Sequence, residues 1–181
     1  MITTALTELF QIARPIVLAP MGLVSGGRLA AAVSNAGGLG LVGGGYGDAA
    51  WMRNELSRVK EGTTLPWGVG LITGSIKRKV LDLALDYRPD AFLLSFGDPR
   101  PYASAIKSAG CKLICQVQDV ENAFIAREAG ADLIVAEGTE AGGHGGSRAT
   151  LPLVPAVVDA VAQFRWWPPA VLPMAADWQP R

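Results

Sequence analysis

Histidine occurs once in these 181 residues and cysteine only twice. A chain so poor in both has no disulfide framework, and two cysteines with one histidine make no zinc site. Cys111 and Cys115 stand four apart in CKLIC, a spacing that puts both on one face of a strand, and they are expected as small core residues. Aromatics are scarce too, at 7%. Neither sign of charge is in excess: Lys+Arg and Asp+Glu are 16 each. Without a basic block or aromatic–basic interleaving, no nucleic-acid partner is expected. No apolar stretch reaches the roughly 20 residues that a bilayer requires. Residues Met1 to Arg14 hold no basic segment leading into an apolar run. The expectation is a soluble, cytoplasmic protein with no membrane contact and no metal.

What is abundant is apolar residues, at 50%, and glycine, at 22 positions. Alanine, valine and leucine dominate, as in strands covered on both faces. The length suits one domain with a sizeable core. Six strands are expected: Pro15 to Pro20, Leu39 to Val42, Leu65 to Leu71, Ala91 to Ser95, Cys111 to Val117 and Asp132 to Ala136. Helices are expected before, between and after them: Thr3 or Thr4 to Phe10, Gly26 to Asn35, Asp48 to Lys60, Ile76 to Tyr87, Tyr102 to Ala109, Asp119 to Ala129, and one starting at Pro155. Glycines close most of the turns. Such alternation argues for a parallel sheet with crossover helices. An open doubly wound sheet and a closed barrel share it. An eight-unit barrel takes about 250 residues, so six units fall short of closure.

In parallel α/β folds ligands bind at the carboxyl ends of strands. Four such ends carry unusual residues: Ala19-Pro20-Met21-Gly22, Gly68-Val69-Gly70, Gln116, and the run from Ala136 through Glu137 to Gly146. In the last, two glycine pairs flank His144. Glycine lets the backbone approach a ligand closely, and a histidine there can exchange a proton near neutral pH. The other reading is an incidental surface histidine. Met21 is read equally well as core or as a ligand contact. Gly70 could be only a turn, and a buried Gln116 amide needs partners from a ligand or a neighbour.

At APMGLVSGGRLAAAVSNAGGLGLVGGG and AGADLIVAEGTEAGGHGG the sequence resembles the nitronate monooxygenase family and its relative, the flavin-dependent enoyl-acyl-carrier-protein reductase. The resemblance covers about residues 14 to 163, and it implies an FMN-dependent (β/α)8 barrel, incomplete here with about six of eight units. Ala19, Pro20 and Met21 match the segment against the isoalloxazine ring. Gln116 and Glu137 match polar positions near the flavin. Ala141, Gly142 and Gly143 match the loop beside it. His144 matches the residue acting on the nitro substrate as base or hydrogen-bond donor. The implied reaction oxidises an alkyl nitronate with oxygen to a carbonyl compound and nitrite. The sister reading is a reductase using NAD(P)H and an acyl thioester; the third is a non-catalytic fragment. Family members commonly carry a polar residue, often Asn, where Gly70 stands.

The pattern breaks after residue 162. Three of five tryptophans and four of twelve prolines fall in residues 163–181. Codons allowed for this tail, read two bases later, translate as IPVVAAGGIADGRGLAA, which resembles the family's seventh strand and phosphate-holding turn. Tryptophan has one codon, so Trp166-Trp167 constrains that reading tightly. The expectation is therefore residues 1–162 as the N-terminal part of the barrel and 163–181 as an out-of-frame tail. The first and sixth strands would be unpaired edges, with weak flavin retention and little activity.

Overall fold

The computed structural model describes residues 3–162 and 170–173. Helix α1 (Ala5–Phe10) is closed by a capping box in which Thr4 and Thr7 satisfy each other's backbone N–H. Five β/α units follow: β1 (Gly40–Gly45), α3 (Ala49–Gly62), β2 (Trp67–Ile72), α4 (Arg78–Leu85), β3 (Ala91–Ser95), α5 (Arg100–Ser108), β4 (Lys112–Val117), α6 (Val120–Glu128), β5 (Leu133–Ala136) and α7 (Thr150–Ala162). Helix α2 (Gly27–Asn35) precedes β1, and β6 (Ala170–Pro173) follows α7. Asp48 and Asp119 accept backbone N–H groups at the starts of α3 and α6.

The strands form one parallel sheet in the order β1-β2-β3-β4-β5-β6. Each strand adds beside its predecessor and the order never reverses, so the sheet is singly wound, as in a barrel. One face carries Val42, Val69, Phe92, Leu113 and Ile134, packed against helix residues such as Met52, Leu56, Leu81, Ile106 and Val157. The other face carries Leu41, Leu93, Ile114 and Val135, and among the described residues it packs against no crossover helix; its partners include Leu6, Phe10 and Ile12. The period-two alternation thus separates an outer layer from a barrel interior. Both cysteines are buried in the outer layer, where Cys111 Sγ donates to Pro89 O and burial pushes the Cys115 thiol up to about 12. Among the described residues no helix is long and apolar enough to cross a membrane.

Three expectations need correction. The segment from Pro15 to Pro20 forms no full strand, only a bridge between Val17 and Leu39. Leu18 N donates to Leu39 O and Leu39 N to Ile16 O, both 2.9 Å. Proline lacks an N–H at either end, and Met21 N turns back to Ala19 O at 2.9 Å, which stops the ladder. The sixth expected strand is not an open edge: β6 pairs with it, Leu133 opposite Ala170 through Ala136 opposite Pro173. Ala170-Val-Leu172 is a short apolar run that pairs before Pro173 removes a donor. Helix α7 begins at Thr150, not Pro155. Pro152 sits in the first turn, where no intrahelical N–H bond is needed, and Pro155 is carried inside the helix. The rest of the expected tail lies outside the described residues.

Candidate functional site

The carboxyl ends of β1 to β5 lie at one end of the parallel sheet, the mouth of the partial barrel. Below it, Gln116 on β4 and Glu137 just past β5 are buried, 9% and 2% exposed. Both Gln116 Nε2 and Gln118 Nε2 donate to Glu137 Oε2, the latter at 2.7 Å. This answers the question of Gln116's partner. Burial raises the Glu137 carboxyl above the usual range, against the opposing pull of the two amides and His144.

The segment Ala19-Pro20-Met21 lies against the β1–β2 side. A Cβ on Gly43 would stand 2.2 Å from Met21 O, and one on Gly70 would stand 2.1 Å from Pro20 Cβ. The Pro20 ring therefore occupies the space in which any side chain at position 70 would begin. Met21 itself is 42% exposed at the mouth.

The glycine loop after β5 folds back and crosses the mouth. Thr139 N donates to Arg148 O at 3.0 Å, and Ala141 N to Gly138 O at 3.1 Å. Glu140 pins its far end: Thr150 N and Oγ1, at the start of α7, donate to Glu140 Oε2 at 2.7 and 2.8 Å. Those bonds hold the Glu140 carboxyl below its ordinary value. Their contribution is present above the unfolded carboxylate range and is lost as pH falls through the depressed value. Glu140→Ala is expected to leave the fold intact while increasing protease cleavage between 138 and 149; unchanged cleavage would show that the loop needs no such anchor.

At the crest His144 meets residues from two other strand ends. Its Nε2 lies 3.2 Å from Tyr46 Oη, directly after β1. The Phe96 ring, directly after β3, lies 5.7 Å away at 59°. Phe96 adopts φ 53°, the left-handed region that a bulky residue enters only when its surroundings hold it there.

A sequence model described as nitronate monooxygenase matches residues 3–78 and 72–177. This chain belongs to the nitronate monooxygenase family. A Mycobacterium tuberculosis protein named (3aS,4S,5R,7aS)-5-hydroxy-7a-methyl-1-oxo-octahydro-1H-indene-4-carboxyl-CoA dehydrogenase is 34% identical, over 88% of this chain and 45% of its own. A probable nitronate monooxygenase of Staphylococcus saprophyticus is 28% identical, over 88% of this chain and 59% of its own. The structure of FabK from Thermotoga maritima superposes with a TM-score of 0.85 at 32% identity, covering 94% of this chain and 54% of that one. The chain thus spans about half the length of the relatives it matches. Its fold is α/β, an incomplete (β/α)8 barrel.

Within this nitronate monooxygenase-family chain, the expected site residues gather at one end of the sheet. Gln116 and Glu137 touch, and Ala19, Pro20 and Met21 line the opposite side. Ala141 is half-buried, while Gly142, Gly143 and His144 are exposed on the crossing loop. Sequence reasoning missed Tyr46, Phe96, Gln118 and Glu140 as site residues. Tyr46 had a visible signal: it is a lone aromatic closing the run of glycines at a strand end. Phe96 and Gln118 had none, since their relevance comes from contacts made across the mouth.

Proposed function

We propose that this chain forms the substrate-facing part of a flavin-dependent oxidoreductase site, with FMN as cofactor, an alkyl nitronate as substrate and oxygen as the final electron acceptor. The observation that carries the reading is His144, held across the strand ends above a buried amide–carboxylate floor. The residues present fit a flat heteroaromatic ring. Pro20 and Met21 offer a partly exposed apolar wall, and Gly142 and Gly143 offer backbone without side chains. Gln116 and Glu137 supply buried polar groups beside them. These residues, with Ala19 and Ala141, would hold the ring. When bound, FMN supplies the electron acceptance. The protein's own part is to orient the substrate under His144, to place a hydrogen-bonding nitrogen at its charged oxygens, and to shield them with Tyr46 and Phe96.

A second reading has its own support. The 34% identical relative is named as a carboxyl-CoA dehydrogenase. An acyl thioester is therefore the alternative substrate, and the resemblance to the flavin-dependent enoyl-acyl-carrier-protein reductase adds NAD(P)H as the reductant of that reading. Mixing the flavin-loaded protein anaerobically with each reductant separates the two: bleaching by a nitronate supports the first, bleaching by NAD(P)H the second.

The test of the flavin site is a titration of FMN fluorescence with the purified chain. Saturable quenching is expected, weakened by Met21→Ala, and the flavin is expected to be lost on desalting. The family resemblance assigns the phosphate to the expected seventh strand and the loop of the next, so Met21→Ala tests the ring contacts separately from those of the phosphate. Absence of quenching at any protein concentration would sink the proposal. We also propose that residues 163–181 are an out-of-frame tail; a gene sequence without a family-like alternate frame would overturn that part.

A further inference from the structure

We propose that Tyr46 fixes the tautomer of His144, with the Tyr46 hydroxyl donating to Nε2 and the imidazole proton held on Nδ1. The contact is direct, Oη to Nε2 at 3.2 Å. The two rings meet edge-on at 75°, with centroids 6.4 Å apart. The Phe96 ring stands beside the imidazole from the β3 side, with centroids 5.7 Å apart. Either group could donate in principle, but their chemistry decides the direction. A phenol is a good donor and a poor acceptor, because its oxygen lone pair is shared with the ring. An unprotonated imidazole nitrogen is a strong acceptor. The neutral histidine then carries its N–H on the nitrogen turned away from Tyr46.

The consequence for chemistry rests on the nitronate reading above. A neutral His144 with Nδ1 protonated presents a donor, not a base, to anything other than Tyr46. Such a group stabilises an oxygen that is already anionic. It does not take a proton from carbon. The site is thereby matched to a substrate that arrives ionised, the nitronate, over the neutral nitroalkane.

His144 is the only histidine in the chain, so a long-range proton–nitrogen correlation spectrum of isotope-labelled protein shows a single imidazole without assignment. The measurement is made on the neutral ring, which the two unlike nitrogen shifts of a single tautomer identify directly. The wild-type chain is expected to show Nδ1 protonated and Nε2 bare. Tyr46→Phe keeps the ring and removes the hydroxyl. It is expected to move the tautomer ratio toward Nε2–H by about fivefold, the effect of one ordinary hydrogen bond. Phe96→Leu keeps the hydroxyl and is expected to leave the ratio in place. A wild-type proton on Nε2, an unchanged ratio in Tyr46→Phe, or an equal shift in Phe96→Leu each overturns the proposal. Because no flavin is needed, a tautomer that flips in a chain unable to quench FMN would leave this inference standing and remove the flavin reading.

Discussion

Gly27→Ala is expected to destabilise the chain by about 3 kcal/mol or more, the upper range for forcing atoms into a filled site. Gly27 opens α2, and its N–H donates at 2.8 Å to Glu55 Oε2 on α3. That carboxylate is 3% exposed and also accepts from Asn54 and Arg58. An added Cβ would stand 2.1 Å from Glu55 O and 2.7 Å from Val59 N. Both are backbone atoms of a helix and cannot swing aside as a side chain would. The helices would have to separate, but α2 is also held from the sheet side. A Cβ on Gly40 of β1 would stand 1.9 Å from Ala30 O. Helix α2 is thus seated between two backbones that approach it at glycines. Separation at one contact also breaks the Glu55 bond and leaves a buried carboxylate with one donor fewer. Urea unfolding of the variant measures the effect; a change within about 0.5 kcal/mol would show that α2 can shift freely, the range of ordinary surface substitutions.

At the site the largest effect is expected from Glu137→Ala, about 3 kcal/mol of stability together with loss of FMN quenching. Removing the carboxylate leaves the Gln116 and Gln118 amides without their shared acceptor and opens space in the floor. Glu137→Gln is expected to behave differently, because a carboxamide oxygen can still accept from both amides. It should cost about 1 kcal/mol or less. The two variants also separate in pH dependence. The Glu137 carboxyl is raised in the folded chain, chiefly by burial. Between its unfolded value of 4.5 and its folded one, the native state binds the proton more tightly. Its contribution is therefore fully present below 4.5 and falls away as pH rises through the folded value. Glu137→Gln cannot ionise, so its stability relative to wild type should improve across that window. Parallel pH profiles for the two proteins would instead mean that the carboxyl does not titrate with folding.

Much of the architecture was legible in one dimension. Strand and helix alternate visibly because parallel strands covered on both faces read as short apolar runs, while glycines and aspartates mark where each element turns. The APM and EAGGH segments, with His144 as the only histidine, pointed to one end of the sheet, and the structure brings both segments to that end. Local pattern could not choose between an open sheet and a barrel. That choice depends on where each strand docks, and only the unbroken order β1 to β6, with the crossover helices among the described residues on one face, decides it. Pairing also decided the edges: Pro15 to Pro20 is apolar enough for a strand but short of N–H donors, and Ala170–Pro173 finds a partner in β5 although the sequence pattern breaks after residue 162. The site's internal contacts belong to the tertiary structure as well. Gln116 meets Glu137 across neighbouring strands, and Tyr46 meets His144 across 98 positions of sequence. A residue's type and local spacing indicate what it can donate or accept. Which groups come within 3 Å or so is set by the order in which the strands dock, a property of all the strands together.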